Sequence, residues 1–171
     1  MEQKINKLKG RDSPSDITNL ERAVSLCNIA MFTIDLQLRR LNSEEPEDRV
    51  FLYRQFADLH FMIVALIRLR RAAIIATNIT DVSTKIKEAI SSFDKALYML
   101  KDMRDVQEHI DEYAINKGNL KKIDRTQLQV GVLTNNTIYE WLGKTFDANI
   151  ARSEAVKLYE AVKKAFDDFR V

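Results

Sequence analysis

Apolar residues recur at spacings of three and four through most of this chain, the period of a helix with one buried face. Behind Ser15 or Asp16, either of which can cap a helix, Ile17, Leu20, Val24, Cys27, Met31, Ile34 and Leu38 form a first stripe. It stops at Asn42-Ser43-Glu44-Glu45-Pro46. Pro46 suits a first helical turn and Glu47 and Asp48 favour its dipole, which predicts a second helix from Pro46 to about Asn78. Its apolar positions are Val50, Phe51, Phe56, His60, Ile63, Val64, Ile67 and Ile74. Asp81 or Ser83 opens a third helix expected to run unbroken to about Tyr113. Ile86, Ile90, Phe93, Leu97 and Leu100 form its inner seam, and a second runs through Ala89, Ser92, Ala96, Met99, Met103, Val106, Ile110 and Tyr113. Two adjacent stripes place such a helix inside a bundle.

After the polar loop 116–126 the period changes. Leu128, Val130 and Val132 alternate with Gln129, Gly131 and Leu133, and Ile138 to Leu142 alternate again. Asn135-Asn136 between them tolerates positive φ, so a β-hairpin is expected over about 128–142. A last helix from about Ala148 turns Ile150, Ala155, Leu158, Val162, Ala165 and Phe169 inward. The expected fold class is mainly α: a four- to five-helix up-and-down bundle with a small β-hairpin before the C-terminal helix. Residues 15–171 form its one domain, behind a loose basic tail at 1–14.

Composition supports this picture. At 171 residues the chain fits one domain, and four Gly and two Pro are too few for a sandwich or barrel. The net charge of +2, from 27 basic and 25 acidic residues, makes no bulk case for nucleic-acid binding, so any such site must be local. Cys27 stands alone and cannot form an internal disulfide, which favours a reducing compartment. No signal-peptide pattern follows Met1, and the longest apolar run, Phe61–Ile67, is too short to span a bilayer. A cytoplasmic protein without membrane attachment is expected.

Several chemistries are excluded. Gly143-Lys144 has Ile138 where a phosphate-binding loop needs glycine. The sequence lacks any Cys-x-x-Cys, and its two histidines, His60 and His109, cannot build a His-rich zinc site. A di-iron bundle needs Glu three residues before each His, where Ala57 and Val106 stand instead. No metal or cofactor is implied.

One constellation stands out. Four residues beyond Leu100 the inner seam reaches Arg104, a charge in an apolar register that needs a partner. Glu108 follows one turn later and can pair with it; Asp105 stands one turn before His109 and can hold its imidazole tautomer. On an unbroken helix Arg104 and His109 lie roughly 140° apart and flank a cleft. Spacing alone favours an ordinary helix ion pair with a half-buried histidine capped by Asp105, since Arg and His five apart often coincide by chance. The segment Arg104-Asp105-Val106-Gln107-Glu108-His109 resembles the Arg-x(4–6)-His signature of the HEPN superfamily, with Asp105 where Asn is common.

That resemblance implies a metal-independent endoribonuclease in which the RNA's own 2′-hydroxyl attacks the adjacent phosphate. His109 is the proton-transfer group, Arg104 the phosphate clamp, and Asp105 orients one of them. It further implies a homodimer with two motif copies in one cleft, acting as a toxin or defence effector restrained by a nucleotidyltransferase-like antitoxin. Lys117, Lys121, Lys122 and Arg125 in the following loop are candidate RNA-backbone contacts, though a solvated loop needs no function. The alternative is a non-catalytic helical dimerisation or binding module in a stress or anti-phage system.

Overall fold

The computed structural model describes residues 14–119, 123–134 and 136–170. It is mainly helical, as the periodicity predicts, with a small antiparallel sheet before the last helix. Most of the expected tail 1–14, together with Lys121, Lys122 and Asn135, lies outside the described residues.

Helix α1, Asp16–Leu41, is capped by Ser15, whose hydroxyl accepts from the Thr18 backbone N–H at 3.3 Å. Its inner face buries Leu20, Ala23, Cys27, Ala30, Met31, Ile34 and Leu41. Burial pushes the Cys27 thiol up to about 12, so it packs as a small hydrophobe.

Pro46 does not begin the second helix. Pro46–Arg49 is a separate 3₁₀ turn, and helix α2 spans Tyr53–Ala76. The cause is the reversal between the helices, whose polar groups converge on Arg54. That guanidinium donates to the Arg40 carbonyl at 2.6 Å, the Ser43 carbonyl at 2.9 Å, both Asp48 oxygens at 3.0 Å and Asp58 at 3.2 Å. Asp58, itself buried, also accepts from Arg40 Nε at 2.7 Å. A helix running from Pro46 cannot wrap this cation. Val50 and Phe51 consequently stand exposed in the linker and belong to no core stripe.

Helix α2 packs against α1 and against the helices described next. This central place explains why it buries Leu59, Met62, Ile63, Leu66, Leu69, Ala72, Ala73 and Ala76, a broader surface than one stripe. Ile74, expected inside, is exposed.

The expected third helix is three. Helix α3 spans Thr80–Ala96, α4 Leu100–Glu108 and α5 Ile110–Ala114, with breaks at Leu97 (φ −114°, ψ 46°) and His109 (φ −121°, ψ 33°). The first break changes which stripe is inside. Before it the inner seam is buried through Phe93 and Leu97; after it that seam stays buried only at Leu100, and Met103 and Val106 of the second seam take its place. Arg104 is thereby turned out of the core register to the rim, with its side chain 29% exposed. Ile110, expected on the second seam, is exposed too.

Three strands follow: β1 Gly131–Thr134, β2 Ile138–Trp141 and β3 Lys144–Asp147, antiparallel in sequence order. The first two are the predicted hairpin, with Gly131 opposite Glu140 and Asn136 at φ 55° in its turn. The third was not anticipated. A two-residue turn joins it to β2, Leu142 and Gly143 both having positive φ (56° and 66°), which matches the twist of paired strands. Tyr139, Trp141 and Phe146 are buried in the sheet's inner face, and the Trp141 indole donates to the Leu128 carbonyl at 3.2 Å.

Asp147 ends β3 and caps α6, Ala148–Phe169, accepting from the Asn149 and Ile150 N–H groups. The side-chain contacts Arg152–Asp35 (2.9 Å) and Tyr159–Asn28 (2.7 Å) make α6 antiparallel to α1, and it also packs on α2 and α3. Ile150, expected inward, is exposed because the buried stripe of α6 runs through Ala148, Ala151, Ala155, Leu158, Val162 and Ala165.

Candidate functional site

The motif borders a cavity of about 440 Å³ between the end of α2 and the α3–α4 junction, lined by Arg70, Arg71, Asp94, Tyr98, Lys101 and Arg104 among others. Arg70 makes a bidentate pair with Asp94 at 2.6 and 2.7 Å, which fixes α2 to α3 and holds its own charge. Arg71 and Lys101 add exposed positive charge along the same wall. The cavity is therefore cationic although the chain is nearly neutral.

Arg104 and Glu108 form the ion pair the i, i+4 spacing predicts. Arg104 Nε is buried without a hydrogen-bond partner among the described residues, so the guanidinium is only half used. The hydrogen bond from Arg104 holds the Glu108 carboxyl below its ordinary range, and the fields of Arg71 and His109 act in the same direction. Glu108 thus lies within the field of three potential cations: Arg71, Arg104 and His109.

Asp105 does not hold His109. Its carboxylate accepts from the Tyr113 hydroxyl at 2.7 Å. The reason is the second break: with His109 at ψ 33° the chain turns, and only its backbone N–H still reaches Asp105, donating to the carbonyl at 3.0 Å. The imidazole points toward Glu112, with Nδ1 3.8 Å from the carboxylate, and is 46% exposed. The turn itself is tightly packed. A Cβ at Gly118 would fall 2.2 Å from the Tyr113 ring, so only glycine lets the chain close over that ring.

The basic loop is partly accounted for. Lys117 is exposed beyond α5, and Arg125 is exposed at the head of a 3₁₀ turn that Asp124 caps. Neither lines the cavity holding Arg104. Lys121 and Lys122 lie outside the described residues. Sequence reasoning placed Tyr113 on a core seam and did not single out Arg71, and so missed their places around the motif. Tyr113 is indeed buried, but its hydroxyl is the polar tip that a buried tyrosine must satisfy. Among the described residues no group of three or more His, Cys, Asp or Glu is placed to hold a metal ion, and no helix is long and apolar enough to cross a membrane. In comparisons with known proteins, no family model, no curated protein and no solved structure matches this chain.

Proposed function

We propose that the protein is a HEPN-like, metal-independent endoribonuclease working as a homodimer. The observation that carries this reading is that Arg104, paired with Glu108, shares a cationic cavity with Arg71, while His109 stands half exposed one residue beyond Glu108. Glu108 sits where an RNA phosphate, which like a carboxylate shares its negative charge over two oxygens, is to be bound in exchange for it. Arg104 then presents the exposed end of its fork to the phosphate. His109, half exposed beside this point, takes the proton from the 2′-hydroxyl. The 2′-oxygen attacks phosphorus, the 5′-oxygen leaves with a proton from the second protomer's imidazole, and a 2′,3′-cyclic phosphate remains. Arg104 and Arg71 stabilise the charge that grows on the phosphoryl oxygens. Asp105, engaged by Tyr113, is a positioning residue for the turn that carries His109. A nucleotidyltransferase-like antitoxin is the proposed restraining partner.

Incubating the purified protein with RNA in EDTA tests this directly. Cleavage leaving cyclic-phosphate and 5′-hydroxyl ends, lost in Arg104→Ala and His109→Ala without change in melting, is the expected result. A second reading, a non-catalytic binding and dimerisation module, is favoured by the neutralised Arg104 and by Asp105 being committed to Tyr113. Folded protein that binds but never cuts RNA, with Arg104→Ala lowering its melting temperature, establishes that reading instead.

A further inference from the structure

We propose that Tyr98 is the base-stacking platform of the cationic cavity: an RNA strand lays its backbone on Arg71 and Lys101 and one nucleobase on the Tyr98 ring. The proposal rests on the reading of that cavity as an RNA site, not on cleavage, and adds a residue outside the Arg104–His109 motif. Tyr98 stands in the junction 97–99 between α3 and α4, off both apolar seams of that segment. Its neighbours Leu97 and Met99 are buried, while Tyr98 is 63% exposed. The break at Leu97 thus presents one aromatic ring to solvent from a packed backbone. Such a ring gains by stacking on a flat partner.

The cavity beside it suits a nucleotide. Its volume of about 440 Å³ lies within the range of small-ligand sites, roughly 300–1,000 Å³. Of its four cations, Arg70 is neutralised by Asp94 and Arg104 by Glu108, while the exposed Arg71 and Lys101 make no salt bridge among the described residues. Open positive charge with an exposed aromatic ring at its rim is the pairing that single strands use, phosphates on the cations and bases on the ring. The ring is also anchored. Lys144 Nζ stands 5.5 Å from its centroid and donates to Asp102 Oδ2 at 2.5 Å, which ties β3 to α4 over one face of the ring. Lys144 does not line the cavity and Tyr98 does, so the covered face is turned away from the cavity and the open face toward it. Among the described residues no other aromatic ring stacks on Tyr98. A ring held in this way loses little freedom when a base settles on it. Lys144 is therefore a positioning residue, acting on the base only through Tyr98.

Fluorescence anisotropy on the full chain tests the proposal with two 2′-O-methyl strands that cannot be cut: an oligoadenylate and an abasic strand of equal length. Tyr98→Ala is expected to weaken the oligoadenylate roughly 5- to 100-fold, the worth of one base–aromatic stack, and to leave the abasic strand unchanged. Tyr98→Leu, apolar but without a ring, behaves like Tyr98→Ala, while Tyr98→Phe and Tyr98→Trp keep the wild-type affinity because the π-face carries the contact. Arg71→Ala weakens both strands alike and lowers the salt slope of binding by about one. Lys144→Met weakens the oligoadenylate alone, by less than Tyr98→Ala, and Lys144→Arg restores it. Equal losses on the two strands with Tyr98→Ala, or an oligoadenylate affinity that Tyr98→Ala and Tyr98→Leu leave unchanged, overturn the proposal. Arg104→Ala separates it from the ribonuclease reading. Affinity indifferent to Arg104→Ala yet lost with Tyr98→Ala in the base-dependent way rejects the ribonuclease and keeps the platform; the converse keeps the ribonuclease and rejects the platform. A wild type that binds neither strand overturns both.

Discussion

Glu108 holds the Arg104 guanidinium in an ion pair one helical turn long. Under the proposed ribonuclease reading the carboxylate and an RNA phosphate compete for that guanidinium, so Glu108→Gln is expected to tighten RNA binding by about 2- to 5-fold, the worth of an exposed ion pair, while Arg104→Ala weakens it. Equal RNA affinity across these variants and the wild type, measured by fluorescence anisotropy, would exclude Arg104 from the binding site. A second dependence runs through Gly118. Gly118→Ala places a methyl 2.2 Å from the Tyr113 ring, forces the ring aside and breaks its hydroxyl's bond to Asp105. The expected loss is about 1–3 kcal/mol by denaturant unfolding. Tyr113→Phe keeps the ring and removes only the hydrogen bond, so it should cost less and leave the loop closed. A larger loss from Tyr113→Phe than from Gly118→Ala would show that packing against Gly118 is unimportant.

At the level of elements, the breaks at Leu97 and His109 are what create the site. The first rotates the buried face and brings Arg104 to the rim; the second swings the imidazole off the line of Asp105. Backbone chemical shifts are expected to interrupt the helical pattern at Leu97–Met99 and again at His109. Unbroken helical shifts from Asp81 to Tyr113 would restore Arg104 to the core seam and remove the cavity. In the sheet, Gly143 sits at φ 66° with Gln127 Nε2 only 3.0 Å from where a Cβ would be. Gly143→Ala should therefore destabilise the protein by about 1 kcal/mol, and a neutral substitution would argue against the β2–β3 turn.

For the whole molecule, acid stability should fall in two stages. His60 lies on the inner side of α2 with its ring 5.2 Å from Trp141, and its Nε2 is buried without a hydrogen-bond partner among the described residues. Burial lowers its pKa below the ordinary 6.5, so between these two values the unfolded chain binds the extra proton. Stability is full above about 6.5 and declines as the pH falls from there to the folded pKa. Asp48 and Glu108 act later. Their carboxyls are held below 3.8 and 4.5 by Arg54 and Arg104, so their contribution persists until the pH falls through those ordinary values toward the folded ones. Thermal melts of His60→Phe should lose the first decline and keep the second. A wild-type melting temperature flat from pH 7 to 5 would contradict the buried, unpartnered imidazole.

The sequence by itself determined the mainly helical class, the limits of α1 and α6 and the first hairpin, because each rests on local periodicity and a nearby cap. Ser15 caps α1 and Asp147 caps α6 with bonds only three residues long. It also determined the Arg104–Glu108 pair, a contact within one helical turn. Strand β3 was illegible since Lys144-Thr145-Phe146-Asp147 offers one apolar residue and no alternation. The breaks were hidden for the opposite reason: an apolar seam passes through 97–100 without a gap, and only packing against α2 decides which stripe turns inward. Likewise Arg54 is one cation among many until the α1–α2 reversal gathers carbonyls and carboxylates from residues 40 to 58 around it. Tertiary structure alone brought Arg71 of α2 to the same cavity as Arg104 of α4, and turned Asp105 from His109 to Tyr113. Those contacts join separate elements or cross a helix break, and no repeat along the chain encodes them.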